Sequence, residues 1–386
     1  MAEVVIAGIG QKEVGEHWEI SLRELALMAI EPAVQDAGGL QPQALFVGNM
    51  VAPQISRQGH LGALVADFAG LSGIEAYAVE SAGASGGAAL RAGYLAVASG
   101  QADVVLVVGV EKLTDQLGSM VETALASAGD SDFEAVQGLT PTAQSALLMV
   151  RYMQEYGVPK EAFAGFPLIA HANGAGNPNA MFRKTISPEM YQRAAIVSGP
   201  LNMFDVAPNA DGAAALVLSR PEILPAKFPH PLVEIVGSSL VTDTLALHDR
   251  PNPLLFQAAR LSVERACRQA GITPDQIDLF ELYDATSIFA ALSLEAAGYA
   301  LPGEGWRLAQ NGHLALTGRL PIATMGGLKA RGNAGGATGV YQAVEAVMQL
   351  RGEAGKNQVN GARYAMLQSL GGPASSAATH VLKRWN

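Results

Sequence analysis

Each half of this 386-residue chain opens on a β-rich apolar run and then repeats one order of elements: strand, small-residue turn, helix, buried strand, closing strand. In the first half these are Val4-Val-Ile-Ala-Gly-Ile-Gly10, the turn and helix starting at Ser85-Gly-Gly-Ala-Ala-Leu, Ala102-Asp-Val-Val-Leu-Val-Val-Gly109, and Asp211-Gly-Ala-Ala-Ala-Leu-Val-Leu218. The second half answers with Leu232-Val-Glu-Ile-Val-Gly-Ser238, Gly335-Gly-Ala-Thr-Gly-Val-Tyr-Gln-Ala-Val-Glu345, Ala362-Arg-Tyr-Ala-Met-Leu-Gln-Ser369 and Ala377-Ala-Thr-His-Val-Leu382. Continuous apolar strands alternating with helices imply sheets covered on both faces. Two such units predict a five-layer α/β/α/β/α body with its site at their junction. The expected halves are residues 1–220 and 221–386. Between about residues 115 and 195 the periodicity weakens, and Asn173-Gly-Ala-Gly-Asn-Pro-Asn179 reads as an irregular excursion, so a cap or loop domain over the pocket is expected there.

Composition narrows the function classes. With 49% hydrophobic residues, 43 glycines and only 16% charged residues, the chain can fill two cores and is too apolar to be disordered. A net charge of -10 opposes the basic footprint of a nucleic-acid binder. No apolar run reaches the roughly 18 to 20 residues of a membrane span, and the opening Met1-Ala-Glu-Val-Val-Ile lacks the basic segment of a secretory signal, which points to the cytoplasm. The single cysteine, Cys267, forbids an intrachain disulfide, and no Cys/His cluster has zinc spacing. Cys267 falls in a helically periodic stretch, 254–270, and is expected in the core.

The stretch Val79-Glu-Ser-Ala-Gly-Ala-Ser-Gly-Gly-Ala-Ala-Leu-Arg91 crowds small residues where a strand turns sharply into a buried helix, leaving backbone amides able to face a ligand. It resembles the nucleophile turn of thiolases, with Gly83 where their reactive cysteine would be. The resemblance spans essentially the whole chain and is closest to the archaeal and sterol-carrier-type branch. It is carried further by Pro208-Asn-Ala-Asp-Gly-Ala-Ala-Ala215, Phe280-Glu-Leu-Tyr-Asp-Ala-Thr286, Gly326-Gly-Leu-Lys-Ala-Arg-Gly-Asn-Ala-Gly-Gly-Ala-Thr-Gly339 and Gln368-Ser-Leu-Gly-Gly372.

The resemblance implies a thiolase fold but argues against the usual chemistry. Where thiolases place a cysteine, a Gly-His-Pro histidine, a His-Asp motif and a final acid/base cysteine or His-Asn pair, this chain has Gly83, Asn333, Tyr283-Asp284 and Gln368-Ser369. Glycine cannot attack a thioester, and asparagine cannot act as a base near neutral pH. What the resemblance leaves are donors: the Gly83 and Gly371 N–H groups as one oxyanion hole, and the Tyr283 hydroxyl and Asn333 amide as a second. Tyr283 is the candidate for proton transfer, which would need a lowered pKa or a relay. Ser85, Gln368, Ser369 and Gly372 are expected to contact substrate, and Lys329 and Arg331, or Arg183 and Lys184, to meet coenzyme A phosphates.

Coenzyme A enters as part of the substrate, with no covalently bound cofactor and no metal. The expected activity is a non-covalent retro-aldol carbon–carbon lyase on a β-hydroxyacyl-CoA, as in thiolase-like steroid side-chain aldolases. A non-catalytic acyl-CoA-binding subunit and an acetyl-CoA acetyltransferase remain open alternatives. By the same resemblance the chain should form a homodimer through the strand at 102–109 and associate with a small OB-fold, zinc-ribbon protein.

Overall fold

Strands form where the apolar runs predict them, because their residues have no solvent-facing side to accommodate. In the computed structural model, which describes residues 2–226 and 228–385, strands β4 (Val104–Glu111) and β7 (Gly212–Ser219) are buried at every position. With them, β1 (Val5–Gln11), β2 (Ala44–Gly48) and β3 (Glu75–Val79) build the sheet of the first half. Strands β8 (Val233–Thr242), β9 (Leu279–Glu281), β10 (Tyr364–Gly371) and β11 (Ser376–Arg384) build that of the second, and a small hairpin pairs β5 (Ile196–Ser198) with β6 (Leu201–Asn202).

The two halves are hydrogen-bonded into one nine-stranded ladder, in the order β3-β2-β4-β7-β1-β8-β11-β10-β9. The seam is short: β1 meets β8 only at Val5 opposite Glu234 and Ile6 opposite Val233. Helices α1 (Leu22–Asp36) and α3 (Leu61–Phe68) cover the outer face of the first half, while α9 (Gln257–Ala270) covers that of the second, with α10 (Ser287–Ala296) beside it. Helices α4 (Ser85–Ala98) and α11 (Thr338–Arg351) contact strands of both halves and form the middle layer. The fold is therefore the five-layer thiolase arrangement.

The middle helices explain the small-residue motifs. A Cβ at Gly339 of α11 would fall on the backbone N of Gly87 and 2.9 Å from the Gly86 carbonyl carbon. One at Gly86 would lie 2.8 Å from Gly336 O. The two helix N-termini thus meet backbone to backbone, an approach only glycine permits. Helix α11 is buried on nearly every face, and its polar residues are engaged internally: Gln342 Nε2 donates to the carbonyls of Glu281 (3.1 Å), Leu282 (3.0 Å) and Gln368 (3.0 Å), clasping β9 to β10.

Two expectations are corrected. The segment 115–195 is mostly helical, containing α5 (Gly118–Ala126), α6 (Pro141–Tyr156), α7 (Gly165–Gly174) and α8 (Pro188–Arg193); the short α2 (Ala52–Ile55) lies against α5. Its helices expose apolar side chains such as Leu117 (75%) and Leu147 (56%), which blurs the periodicity read from sequence. The stop and start signals were nonetheless present, with Thr140 capping α6, Pro141 in its first turn and Gly157 ending it in a left-handed conformation. The strand at 102–109, in turn, cannot extend into a second copy, because β4 is paired on both sides, by β2 and β7. The free edge of the first half is β3. Cys267 is buried on α9 as expected, and burial pushes its thiol up to about 11.

Replacing Gly339 with alanine forces the helix N-termini apart, so Gly339→Ala should lose about 2 kcal/mol or more of stability. Chemical unfolding of the purified variant measures this, and an unchanged midpoint and slope would refute the backbone contact.

Candidate active site

The turn between β3 and α4 is fixed by its own serines. Ser85 Oγ donates to Ala82 O (2.6 Å) and accepts from Ser81 N–H (2.9 Å), and Ser81 Oγ pairs with Ser376 Oγ (2.9 Å) at the start of β11. Ser85 is thereby consumed in the turn and fully buried, so it does not contact substrate as expected. The apex, Gly83, opens onto a cavity of about 190 Å³ at the junction of the two halves and the cap. Gly83, Tyr283, Asn333 and Gly372 all line it, together with Glu122, Asn209, Thr286 and Phe289.

Gly83 and Tyr283 are sterically one unit. A Cβ at Gly83 would fall on the Tyr283 hydroxyl, 2.9 Å from Tyr283 Cζ and 2.6 Å from Leu370 O. The tyrosine hydroxyl occupies the space into which any side chain at 83 would project. Its position is set from behind: Gln342 holds residues 281–282, and Leu328 N–H donates to Asp284 Oδ1 at 2.7 Å. Tyr283 is 7% exposed. Burial, and then the neighbouring Asp284 carboxylate, push its pKa well above that of an ordinary phenol, against a smaller opposing effect of Arg331. The shift runs opposite to the lowered pKa that direct proton abstraction by Tyr283 would need, and it favours the hydroxyl as a donor.

Asn333 is oriented by its own turn. Its Oδ1 accepts from Gly335 N–H at 3.2 Å, which leaves Nδ2 for the cavity. The backbone of Asn333 is strapped to the 208–210 loop, donating to Pro208 O (2.9 Å) and accepting from Ala210 N–H (3.0 Å). Beneath this turn, the buried Glu111 carboxylate accepts from the N–H groups of Met50 (2.7 Å) and Gly336 (3.0 Å), and burial pushes it up to about 7 despite them. Thr286, 4% exposed, brings an Oγ1 that has no partner among the described residues.

The remaining expected contacts lie elsewhere. Gln368 is buried with its Nε2 donating to Ala259 O (3.2 Å) and Thr379 Oγ1 (3.0 Å), and Ser369 is buried against Gly87. Neither reaches the cavity. Gly371 sits one residue behind the wall, packed on Ser81 O, and Gly372 is the glycine that borders the space. Arg331 is 1% exposed, paired with Glu345 Oε2 at 3.2 Å and lying 4.9 Å over the Tyr341 ring, so it cannot meet a phosphate. Lys329 is buried too, donating to Asp205 O at 2.5 Å, and burial lowers it to about 8. It borders a second, mainly apolar cavity of about 370 Å³ lined by His171, Phe182, Met203 and Phe204, which shares Val197, Val206 and Ala207 with the first. Arg183 donates to Pro178 O (3.2 Å) at the surface, away from the cavity beside Gly83.

Sequence reasoning missed Glu122, Thr286 and Asn209 as lining residues. Asn209 and Thr286 lie inside motifs already singled out, whereas Glu122 sits on a cap helix with no motif to mark it. Among the described residues no group of three or more His, Cys, Asp or Glu is placed to hold a metal ion.

Comparison with known proteins agrees with this architecture. Residues 4–198 match the model of the thiolase N-terminal domain, and residues 239–384 match that of the thiolase C-terminal domain-like family. The chain is 40% identical to an acetyl-CoA acetyltransferase of Methanothermobacter thermautotrophicus, covering 100% of both chains. It is 36% identical to an acetyl-CoA acetyltransferase of Methanocaldococcus jannaschii, covering 99% of each. Among solved structures, the Ltp2-ChsH2(DUF35) aldolase superposes with a TM-score of 0.84 at 24% identity, over 99% of this chain and 98% of that one.

The contact between positions 83 and 283 predicts energetic coupling. Gly83→Ala should cost about 1 to 3 kcal/mol, and in a Tyr283→Phe background that cost should shrink by about 0.5 kcal/mol or more. A double-mutant cycle on unfolding free energies reads this directly, and strict additivity would refute the contact.

Proposed function

This chain belongs to the thiolase family, and we propose that within it the protein is an acyl-CoA carbon–carbon lyase of the retro-aldol type that forms no acyl-enzyme. One observation carries the reading: the Tyr283 hydroxyl fills the space beside Gly83 where a nucleophilic side chain would have to stand. A covalent thioester to the enzyme has neither an atom to form it nor room to hold it, whereas retro-aldol cleavage needs only fixed donors and a base. The backbone amides of Gly83 and of the Gly371-Gly372 turn hold the thioester oxygen as it gains enolate charge. The Asn333 amide and the Tyr283 hydroxyl donate to the β-oxygen. Both donors lie at the N-termini of buried helices or against them, where developing negative charge is favoured. Tyr283, already protonated, cannot accept the β-hydroxyl proton.

The aldolase among the structural neighbours supports this reading through its fold, and its ChsH2(DUF35) component supports a further one, that this chain also works beside a small partner protein. We place a homodimer contact at the free edge of β3, the one outer strand of the first half. The relatives named acetyl-CoA acetyltransferase favour a second reading, acyl transfer between coenzyme A thioesters. Coenzyme A is substrate in both.

The two readings separate in one assay. The protein should cleave β-hydroxyacyl-CoA thioesters to a carbonyl product and a shortened acyl-CoA, and should show no thiolysis of acetoacetyl-CoA. Removal of one donor in Tyr283→Phe should lower kcat by about 100-fold. Robust thiolysis by the wild-type protein would reject the lyase reading in favour of the second.

A further inference from the structure

The lyase reading leaves one role unfilled, that of the base, and we propose that Glu122 fills it. Its carboxylate takes the proton of the substrate β-hydroxyl as the Cα–Cβ bond breaks, then returns that proton to Cα of the thioester enolate. This assignment rests on the lyase reading above.

Position singles out Glu122. Among the described residues lining the cavity it is the only charged side chain, and Tyr283 is the only other one with an ionisable group. Gly83, Tyr283 and Asn333 reach the cavity from the two halves, while Glu122 reaches it from α5 of the cap, so one cavity presents both the donors and the carboxylate. Two other buried glutamates stand nearby in the fold but are occupied. Glu111 holds the Met50, Val51 and Gly336 N–H groups and the Asn49 amide. Glu134 holds Asp130 N–H (3.0 Å), Gln144 Nε2 (3.1 Å) and Leu247 N–H (2.9 Å). Neither lines the cavity. Glu122 is half-buried and shares the cavity wall with the neutral Asn209, whose side chain lowers its proton affinity.

The surroundings suit a base that works near neutral pH. The elements packed on α5 are α2, whose four residues carry no ionisable group, and α6, which presents Pro141, Thr142, Gln144 and Ser145 to the cavity; its charged Arg151 and Glu155 lie farther along the helix and pair with each other at 2.8 Å. Desolvation therefore dominates and raises the Glu122 pKa, and the neighbouring Asn209 side chain moderates that rise. A carboxylate raised in this way accepts a proton more readily than a solvated one.

The step balances without a co-reactant. The O–H electron pair becomes the second bond of the new carbonyl, and the Cα–Cβ pair moves onto Cα as the enolate held by the Gly83 and Gly371-Gly372 amides. Cα then takes the proton from the Glu122 carboxylic acid, so the side chain ends as the carboxylate it began as. The products are a ketone or aldehyde and the shortened acyl-CoA.

The test is steady-state cleavage of a panel of β-hydroxyacyl-CoA thioesters with aliphatic and cyclic β-substituents, by the full-length protein, across pH. Wild-type kcat should rise with pH along an acid limb. In Glu122→Gln, kcat should fall by about 10² to 10⁴-fold, the limb should vanish and KM should hold within about threefold. In Asn209→Ala, which removes the side chain that lowers the Glu122 pKa, the limb should persist and move to higher pH, a shift that a purely structural role would not produce; this variant also keeps the test open should Glu122→Gln fail to fold. Wild-type cleavage that survives in Glu122→Gln within about threefold, or an unmoved limb in Asn209→Ala, would remove Glu122 and leave the lyase standing. Absence of cleavage of any thioester by the wild-type protein would overturn both.

Discussion

The molecule is organised around the place where α4 and α11 touch through their backbones. Gly86 and Gly87 on one helix and Gly336 and Gly339 at the start of the other leave no side chain between them. That contact draws the N-termini of the two buried helices to a single point, and the loops that precede those N-termini come with them. Gly83 and Asn333, 250 residues apart in the chain, become neighbours on one cavity wall for this reason. The turns that lead into both helices are satisfied locally, Gly335 N–H by Asn333 Oδ1 and Gly336 N–H by the buried Glu111, so the two loops are held rigidly where they meet the cavity.

The second organising contact, Tyr283 over Gly83, changes what the missing side chain means. A glycine replacing a nucleophile in an otherwise unaltered pocket would leave a hole. Here that space is filled by the hydroxyl of Tyr283, whose backbone is fixed by Gln342 at residues 281–282 and by Leu328 N–H donating to the adjacent Asp284. The packing around position 83 is thus complete without a side chain there.

Strands and turns were legible because their physics is local. A run such as Val104–Val108 has no face to show to water, and Ser85-Gly-Gly can only be a close contact. Burial of charge was not legible: Lys329 and Arg331 stand among glycines in a loop motif and look available, but their partners, Asp205 O and Glu345, come from distant segments. Gln368 and Ser369 misled for a related reason: as neighbours on β10 they point to opposite faces, and both faces are covered, Gln368 by Ala259 of α9 and Ser369 by Gly87 of α4. The cap was least legible. Its helices carry exposed apolar side chains, so Glu122 offers no pattern from which to read its position.

The loop at 208–210 ties these parts together in a way that limits how the site could diversify. Its backbone clasps Asn333 on both sides, and its Asn209 side chain lines the same cavity as Glu122 of α5. Any enlargement made by moving α5 would therefore disturb donor and carboxylate together. The neighbouring cavity walled by Phe182, Met203 and Phe204 meets this loop only at Pro208. Substitution at those three apolar side chains can reshape that space while Glu122, Asn209 and Asn333 keep their spacing, so descendants of this protein would diverge in what they accommodate first along that wall and last at α5.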